Sequence, residues 1–333
     1  MKTKQIRLYA VIAAIIIIFT ACSPGISAAN PPKVSETPPV SAQSQEPLSP
    51  SPEQNTQQAH TEAPSVAINE NDLTDSSEPL IVSFIDVGQA DSIFIELPNN
   101  QTMLIDAGNN ADGDDVVEYV EGLGYDTIDY LVGTHPHEDH IGGLDTVIDE
   151  LNVGSIYMPK VSHTTKTFED VLVVIRDKGL KVTSARVGVV ILEEPGLTIS
   201  ILSPASDEYD DLNNYSAVIL ITYNNSSFLF TGDAEDIPED EMLEAGYNLN
   251  VDVLKVGHHG SASSSSEAFL EAVTPLYAII SVGAGNSYGH PSQSVIDRLE
   301  GENARILRTD LDGTVVISTN GDGSYAVKTS KEQ

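Results

Sequence analysis

Histidines and carboxylates are concentrated in one short segment, Thr134 to Gly143 (THPHEDHIGG), which follows an apolar run. Imidazole nitrogens and carboxylate oxygens are the ligands that zinc and similar divalent ions accept. His135 and His137 alternate as on an extended segment, so both can face one ion. Asp139 and His140 lie where the chain turns toward a helix, a position suited to a second ion. The pattern predicts a metal-binding loop at a strand end; the alternative is a solvated polar loop.

Three further segments place ligand-type side chains directly after strand-like apolar runs. Asp233 ends the sequence FLFTGD, the pair His258 and His259 follows a second run, and His290 follows a third. Taken alone, Asp233 would be a turn or helix-capping residue and the histidines would be exposed loop residues. Because binding groups collect at strand ends in layered α/β folds, we expect all of them at one sheet edge. The pair Gly142 and Gly143 predicts a close backbone approach beside that edge.

The first 22 residues combine a basic start, an apolar run shorter than the roughly 20 residues that span a bilayer, and a small-residue site ending at Cys22. This segment resembles a bacterial lipoprotein signal, which implies that Cys22 is lipidated and becomes the mature N-terminus. An uncleaved anchor helix is the alternative. Either one predicts an extracytoplasmic protein that is anchored to the bacterial cell membrane. Cys22 is the one cysteine, so an intrachain disulfide is excluded.

The rest of the chain divides into a stalk and a folded body. Residues 23–79 are rich in Pro, Ser and Gln and cannot bury enough apolar surface to order themselves, so we predict a disordered stalk. Residues 80–333 alternate strand and helix patterns, which predicts one layered α/β domain. The predicted strands are 81–86, 92–97, 102–106, 155–158, 181–185, 187–192, 197–202, 217–223, 227–231, 251–256, 277–282, 304–307, 315–318 and 324–327, and the predicted helices are 114–123, 144–151, 168–178, 238–245, 267–273 and 292–300.

The HPHEDH loop resembles the HxHxDH signature of the metallo-beta-lactamase superfamily. A wider set of motifs resembles, in order, the hydrolase domain of the competence DNA-uptake protein ComEC. These motifs are DVGQADS (86–92), LIDAG (104–108), NNYS (213–216), TGD (231–233), KVGHHGS (255–261) and GHP (289–291). The resemblance covers essentially the whole body and implies a four-layer αβ/βα sandwich. The membrane channel region that accompanies this domain in ComEC is missing, so the expected protein is a freestanding, lipid-tethered relative.

The resemblance also implies a role for each site residue and two divalent metal ions, zinc or manganese, as cofactors. The first ion would be held by His135 and His137 and the second by Asp139, His140 and His290, with Asp233 bridging them. Asp106 would orient the ligand loop from behind. The implied catalytic residues are Asp139, His258 and His259, with the individual roles of the two histidines open. The implied substrate-binding residues are Asn214, Ser216 and Ser261.

Many superfamily members carry another histidine ligand near residues 213–216, where this chain has Asn and Ser. The implied first site is therefore richer in oxygen, which makes manganese an alternative to zinc.

The implied function is a metal-dependent extracytoplasmic phosphodiesterase or nuclease that acts on DNA or another phosphodiester. The alternatives are hydrolysis of another ester or a β-lactam, and a non-catalytic, metal-containing surface-binding lipoprotein. Sixteen basic against 50 acidic residues give a net charge of −34, whereas DNA affinity normally rests on Lys and Arg. Near the site, Lys160, Lys166 or Lys255 would have to supply the positive charge that binds a phosphate backbone. The sequence leaves open the oligomeric state and whether the domain works alone or beside a separate DNA-uptake channel.

Overall fold

Strand-forming runs and amphipathic helices follow one another from Leu80 onward in a computed structural model that describes residues 78–331. The predicted signal segment (1–22) lies outside the described residues, as does the predicted stalk (23–79) apart from Glu78 and Pro79. The first strand begins at Leu80, the residue at which the sequence predicts that the folded body starts. Within the described range, no helix is long and apolar enough to cross a membrane.

The described residues form two mixed β-sheets. The first has the strand order β15-β14-β1-β2-β3-β4-β5-β6 and the second has the order β13-β12-β11-β10-β9-β8-β7. The strands are β1 (Leu80–Phe84), β2 (Ser92–Glu96), β3 (Thr102–Ala107), β4 (Thr127–Val132), β5 (Asn152–Met158), β6 (Val182–Ser184), β7 (Val190–Glu194), β8 (Leu197–Ser203), β9 (Val218–Tyr223), β10 (Ser226–Phe230), β11 (Val253–Lys255), β12 (Tyr277–Ile280), β13 (Arg305–Arg308), β14 (Val315–Thr319) and β15 (Ala326–Thr329).

The helices lie between these strands in the chain. They are α1 (Gly113–Gly122), α2 (Glu138–Ile141), α3 (Leu144–Glu150), α4 (Lys166–Asp177), α5 (Asp236–Glu244), α6 (Glu267–Val273), α7 (Gln293–Gly301) and α8 (Thr309–Asp312), with 3-10 turns at Leu212–Tyr215 and Gly257–Gly260. Hydroxyl side chains cap several of them. Thr165, Ser266 and Ser292 each accept a hydrogen bond from a backbone N–H in the first turn of α4, α6 and α7, which satisfies a donor that the helix leaves free.

Alternation along the strands divides the apolar residues among three layers of core. Ile93 and Ile95 of β2 point into the core between the two sheets, where they join Phe228 and Phe230 of β10. Phe94, one residue out of phase, packs instead with the helices over the outer face of the first sheet. Helices α5, α6 and α7 cover the outer face of the second sheet in the same way. The helix, sheet, sheet and helix layers confirm the predicted four-layer sandwich in one domain.

The sheet topology brings the functional segments to a common edge. Strands β3, β4 and β5 run parallel, as do β10, β11 and β12. Their carboxyl ends carry or lead into the segments that the sequence singled out, from Asp106 near the end of β3 to His290 after β12. Hydrogen bonds join the two halves at this edge, from Ala217 N to Thr134 O at 3.0 Å and from Gly283 N to Gln89 Oε1 at 3.0 Å. The edge is therefore a fixed junction of the two sheets.

Candidate metal centre

The histidine-rich loop leaves β4 and turns at once into α2. His137 is extended and immediately precedes α2, which places Asp139 and His140 on the first turn of that helix. The tight path depends on glycine, as the sequence predicted. A Cβ atom on Gly142 would lie 2.2 Å from the backbone nitrogen of Asn110, and one on Gly143 would lie 2.4 Å from the carbonyl oxygen of Ala107. A side chain at either position would push the ligand loop away from the end of β3 or from the segment that follows it.

Four side chains converge on one point from both sheets. Each of Asp139, His140, Asp233 and His259 offers a ligand atom, and these atoms all lie within 4.8 Å of one another. Asp233 Oδ1 lies 3.2 Å from His140 Nε2 and 3.7 Å from His259 Nε2. His259 Nε2 in turn lies 3.3 Å from Asp139 Oδ2. Two carboxylates and two imidazoles within this span form a site for a divalent ion.

The other oxygen of Asp233 faces a second group of histidines. Its Oδ2 atom lies 3.9 Å from His135 Nε2 and 3.6 Å from His258 Nε2. His135 Nε2 and His137 Nδ1 are 3.0 Å apart, so both nitrogens can bind the same metal ion. Asp233 therefore stands between the two groups, the position that the resemblance assigns to a bridging carboxylate.

The chemistry of these atoms fits a metal ion. Asp233 Oδ1, His140 Nε2 and His259 Nε2 are buried and make no hydrogen bond within the described residues. Buried polar atoms are normally satisfied, so three of them directed at one another fit ligands that share one ion. Burial and the neighbouring His140 hold the pKa of His135 well below its usual range, in the neutral form that binds metals. Burial lowers the pKa of His259, but Asp233 and Asp91 outweigh that effect and raise it to about 10. The carboxylates thus favour a positive charge, a proton or a metal ion, at this point.

Asp106 reaches the site because the strand that carries it is irregular. Ser92 of β2 pairs with Ala107 while Ile93 pairs with Ile105, so Asp106 is an extra residue in a β-bulge, with φ of 57°. The bulge aims its carboxylate at His140 Nδ1, 2.8 Å away. Thr134 donates to the same carboxylate from its backbone N–H at 2.7 Å and from its hydroxyl at 2.6 Å. Asp106 thus holds the His140 ring from behind, where the resemblance puts it.

The two adjacent histidines owe their orientation to a strained turn. His258 and His259 have φ of 49° and 53°, in the left-handed region that side chains disfavour. The turn points them to different partners. His259 Nδ1 donates to the carbonyl oxygen of Ser281 at 2.9 Å, which leaves Nε2 toward Asp233. His258 Nδ1 lies 3.1 Å from Glu235 Oε1. Strain at both positions of one turn is typical of a functional site.

A buried ion pair supports this arrangement from below. Lys255 Nζ, fully buried, lies 2.6 Å from Asp91 Oδ2, and Asp91 Oδ1 lies 3.3 Å from His259 Nδ1. Burial raises the pKa of Asp91, but Lys255 and His259 outweigh it and lower it to about 2. Lys255 therefore neutralises a carboxylate beneath the ligands and is not available to a substrate.

Three of the four clustered residues, Asp139, Asp233 and His259, line a cavity of about 310 Å³. Its wall is formed by Gln89, His137, Glu138, Asp139, Asn213, Asp233, His258, His259, Tyr288 and His290. His258 is 23% exposed, so its ring can reach both solvent and a bound molecule. His290 lies on the cavity wall with its ring centroid 5.7 Å from that of His258, and it is not among the four clustered residues. The geometry thus groups His259, rather than His290, with Asp139 and His140.

The three residues expected to bind substrate lie off the cavity wall. Ser216 is fully buried; its Oγ accepts a hydrogen bond from Asp233 N at 3.0 Å and contacts His135 Nδ1 at 3.3 Å. Asn214 Oδ1 accepts from Glu235 N at 3.2 Å, and Ser261 Oγ contacts Ser263 Oγ at 2.9 Å. Ser216 and Asn214 therefore hold the segment around Asp233 in place.

Sequence reasoning gave no role to Asp91, Thr134 or Glu235. Asp91 and Thr134 both lie within or beside motifs. Their roles come from contacts that the sequence does not show: Thr134 N donates to Asp106, and Asp91 pairs with Lys255. Glu235 follows Asp233 by two residues, and this spacing is the one signal that could have identified it. Asn213, which lies where many superfamily members carry a histidine ligand, lines the cavity, and its Oδ1 makes no hydrogen bond within the described chain.

We expect Lys255→Met to lower the free energy of unfolding by about 3–5 kcal/mol, because it leaves Asp91 charged and buried without its partner. The matched control is Lys178→Met, which removes a lysine from the half-exposed pair with Asp149 and should change stability little. Urea unfolding followed by far-UV circular dichroism measures both. Equal stabilities for the two variants would contradict the role of the pair.

Comparison with known proteins places the domain in a family. The sequence model of the metallo-beta-lactamase superfamily matches residues 85–284. ComE operon protein 3 of Bacillus subtilis (strain 168) is 34% identical over 264 residues, covering 74% of this chain and 34% of that protein. Competence protein ComA of Neisseria gonorrhoeae is 30% identical over 247 residues, covering 74% of this chain and 33% of that protein. The chain thus spans about a third of the length of these relatives.

Among solved structures, the metallo-beta-lactamase fold protein YhfI from Bacillus subtilis matches with a TM-score of 0.48 and 13% identity, covering 73% of this chain and 100% of that one. That similarity is too low to support an argument about activity. The family model covers most of the folded domain, including the histidine-rich loop, Asp233 and His259. The chain belongs to the metallo-beta-lactamase superfamily.

Proposed function

We propose that the domain is a metal-dependent phosphodiesterase that acts outside the cytoplasm on DNA or another phosphodiester. The observation that carries the proposal is the cluster of Asp139, His140, Asp233 and His259, three of which line an open cavity while His140 is buried behind them. A structural metal site is closed by its protein ligands, whereas a catalytic site keeps access for substrate. The cavity therefore favours hydrolysis over a purely structural or binding role.

Bound divalent ions would supply Lewis-acid chemistry, activating water and stabilising the charge that develops on the phosphoryl oxygens. The chain holds the ligand atoms rigidly for this purpose. Asp106 fixes the ring of His140, and the Ser281 carbonyl fixes that of His259. Such outer contacts set the tautomer and basicity of a ligating histidine. Mixed oxygen and nitrogen donors are compatible with zinc and with manganese.

The geometry favours different roles for the adjacent residues His258 and His259. His259 is buried and its free nitrogen faces Asp233 and Asp139, which suits an ion ligand. His258 lies on the cavity wall and is oriented by Glu235, as a proton donor must be. We assign to His258 the transfer of a proton to the leaving oxygen of the substrate.

The choice of a phosphodiester rests on the relatives. One of them is named as a competence protein, and the similarity to this chain covers most of the folded domain. We extend to this chain a role in processing DNA during uptake, either alone or beside a separate channel protein.

We expect Asp233→Asn to reduce hydrolysis of bis(p-nitrophenyl) phosphate by about 100-fold or more, because loss of outer-shell contacts alone costs 10–100-fold in metal sites. Activity is measured with manganese, with zinc and after chelation, on the diester and on single- and double-stranded DNA. The control is Asp240→Asn, an exposed carboxylate on α5. Full activity of the Asp233→Asn variant, or activity that survives chelation, would refute the proposal.

The predicted ligand His290 and the clustered residue His259 can be separated by metal binding. We expect His259→Ala to weaken manganese or zinc binding about 100-fold, and His290→Ala to leave affinity within a few-fold of the parent protein. Isothermal titration calorimetry measures both. A comparable loss for the two variants would restore His290 as a ligand.

We also propose that Cys22 carries a lipid that tethers the protein to the membrane. In a bacterial host, radiolabelled palmitate should label the parent chain and the Ser23→Ala control, and the Cys22→Ala variant should remain unlabelled. If the parent chain is not labelled, the proposal that Cys22 carries a lipid is wrong.

A further inference from the structure

Tyr288, on the wall of the cavity, is the most exposed large hydrophobic residue in the described part of the chain. Its side chain is 71% exposed, although it lines the same space as the ligands Asp139, Asp233 and His259. A large aromatic ring left in water beside a reactive centre offers one flat face to a binding partner. We propose that Tyr288 forms a subsite that stacks a nucleobase next to the phosphate being cleaved. This inference rests on the proposed phosphodiesterase function and names the substrate class.

A series of rings links Tyr288 to the reactive groups. The rings of Tyr288 and His290 are nearly parallel, at 17°, with centroids 5.8 Å apart. The His290 ring meets that of His258 at 66° with centroids 5.7 Å apart, and His258 Nε2 lies 3.6 Å from Asp233 Oδ2. Tyr288 is thus two ring contacts from the proposed proton donor. A base on Tyr288 would lie beside the scissile phosphate rather than on a remote surface.

The loop that presents Tyr288 is held in shape by one side chain. Asn286 Oδ1 accepts hydrogen bonds from Tyr288 N at 3.2 Å and from His290 N at 3.0 Å. Asn286 Nδ2 donates to His290 O at 2.7 Å and to Gly283 O at 3.0 Å. Because the backbone on both sides of Tyr288 is fixed before binding, little ordering entropy is lost when a ring stacks there.

Stacking also suits the charge of this protein. Proteins that bind single-stranded nucleic acid combine a basic groove with aromatic rings, and the rings act on every base. The cavity wall here carries the carboxylates of Glu138, Asp139 and Asp233 and no Lys or Arg, and the whole chain has a net charge of −34. Affinity for an anionic substrate must then come from the metal centre and from uncharged contacts. A base can reach Tyr288 only when it is unstacked, so the fitting substrates are single strands and nucleotide diesters.

The test compares two diesters that share a leaving group: thymidine 5′-(p-nitrophenyl phosphate), which carries a base, and methyl p-nitrophenyl phosphate, which does not. With the metal-loaded protein, Tyr288→Leu should lower kcat/KM about five- to 100-fold on the thymidine diester, mainly through KM, and leave the methyl diester unchanged. Tyr288→Phe keeps the ring and should retain parental values. Tyr247→Leu, at a half-exposed tyrosine off the cavity wall, is the matched control.

Equal losses on both diesters would overturn the nucleobase subsite, and a Phe variant as weak as the Leu variant would overturn stacking. A parent protein inactive on both diesters would refute the proposed function instead. The subsite is then decided by fluorescence anisotropy with a labelled oligothymidylate. Tyr288→Leu should weaken that binding at least about fivefold, and unchanged binding would reject the subsite.

Discussion

The buried carboxylate of Asp233 is the constraint on which the rest of the site depends. It is 2% exposed and lies within 4 Å of imidazole nitrogens from His135, His140, His258 and His259. A carboxylate out of water must be compensated by charge and hydrogen bonds. Asp91 and Asp106 are buried nearby, and their carboxylates need the same compensation. Lys255 neutralises Asp91. The carboxylates that remain give the centre an excess of negative charge, which favours binding of a cation.

Neither sheet could build this centre alone. The first sheet supplies the ligand loop and Asp106, and the second supplies Asp233 and the two adjacent histidines. The packed core between the sheets therefore does more than stabilise the fold, because it sets the spacing of ligands that come from opposite halves. The same rigidity sustains the left-handed backbone at Asp106, His258 and His259, each of which costs on the order of 1–3 kcal/mol. Strain of this kind persists only where the surrounding structure leaves no alternative.

Much of the fold and part of the site could be predicted from the sequence. Alternating and helical patterns located most elements, although β7 begins at Val190 rather than at 187, because Gly188 turns the chain first with φ of 84°. The short α8 carries no periodic signal and was missed. The ligand loop was evident from composition. The sequence did not predict that His259, rather than His290, groups with Asp139 and His140. That grouping depends on a left-handed turn, which a pair of adjacent histidines does not indicate. Ser216 has the right chemistry for a substrate contact, but only the packing reveals that its hydroxyl faces inward.

The charge of the chain and the chemistry of the site act at different ranges. A net charge of −34 repels an anionic polymer at long range, and salt only partly screens that repulsion. Contacts within the cavity act over a few ångströms, where bound divalent ions would offset the ligand carboxylates of Asp139 and Asp233 and attract a phosphate despite Glu138. Recognition should therefore be local, confined to one phosphate and its immediate neighbours, rather than spread along a basic groove. A local mode of binding selects substrates by what lies next to the scissile bond, which gives the residues at the mouth of the cavity more influence than the surface beyond it.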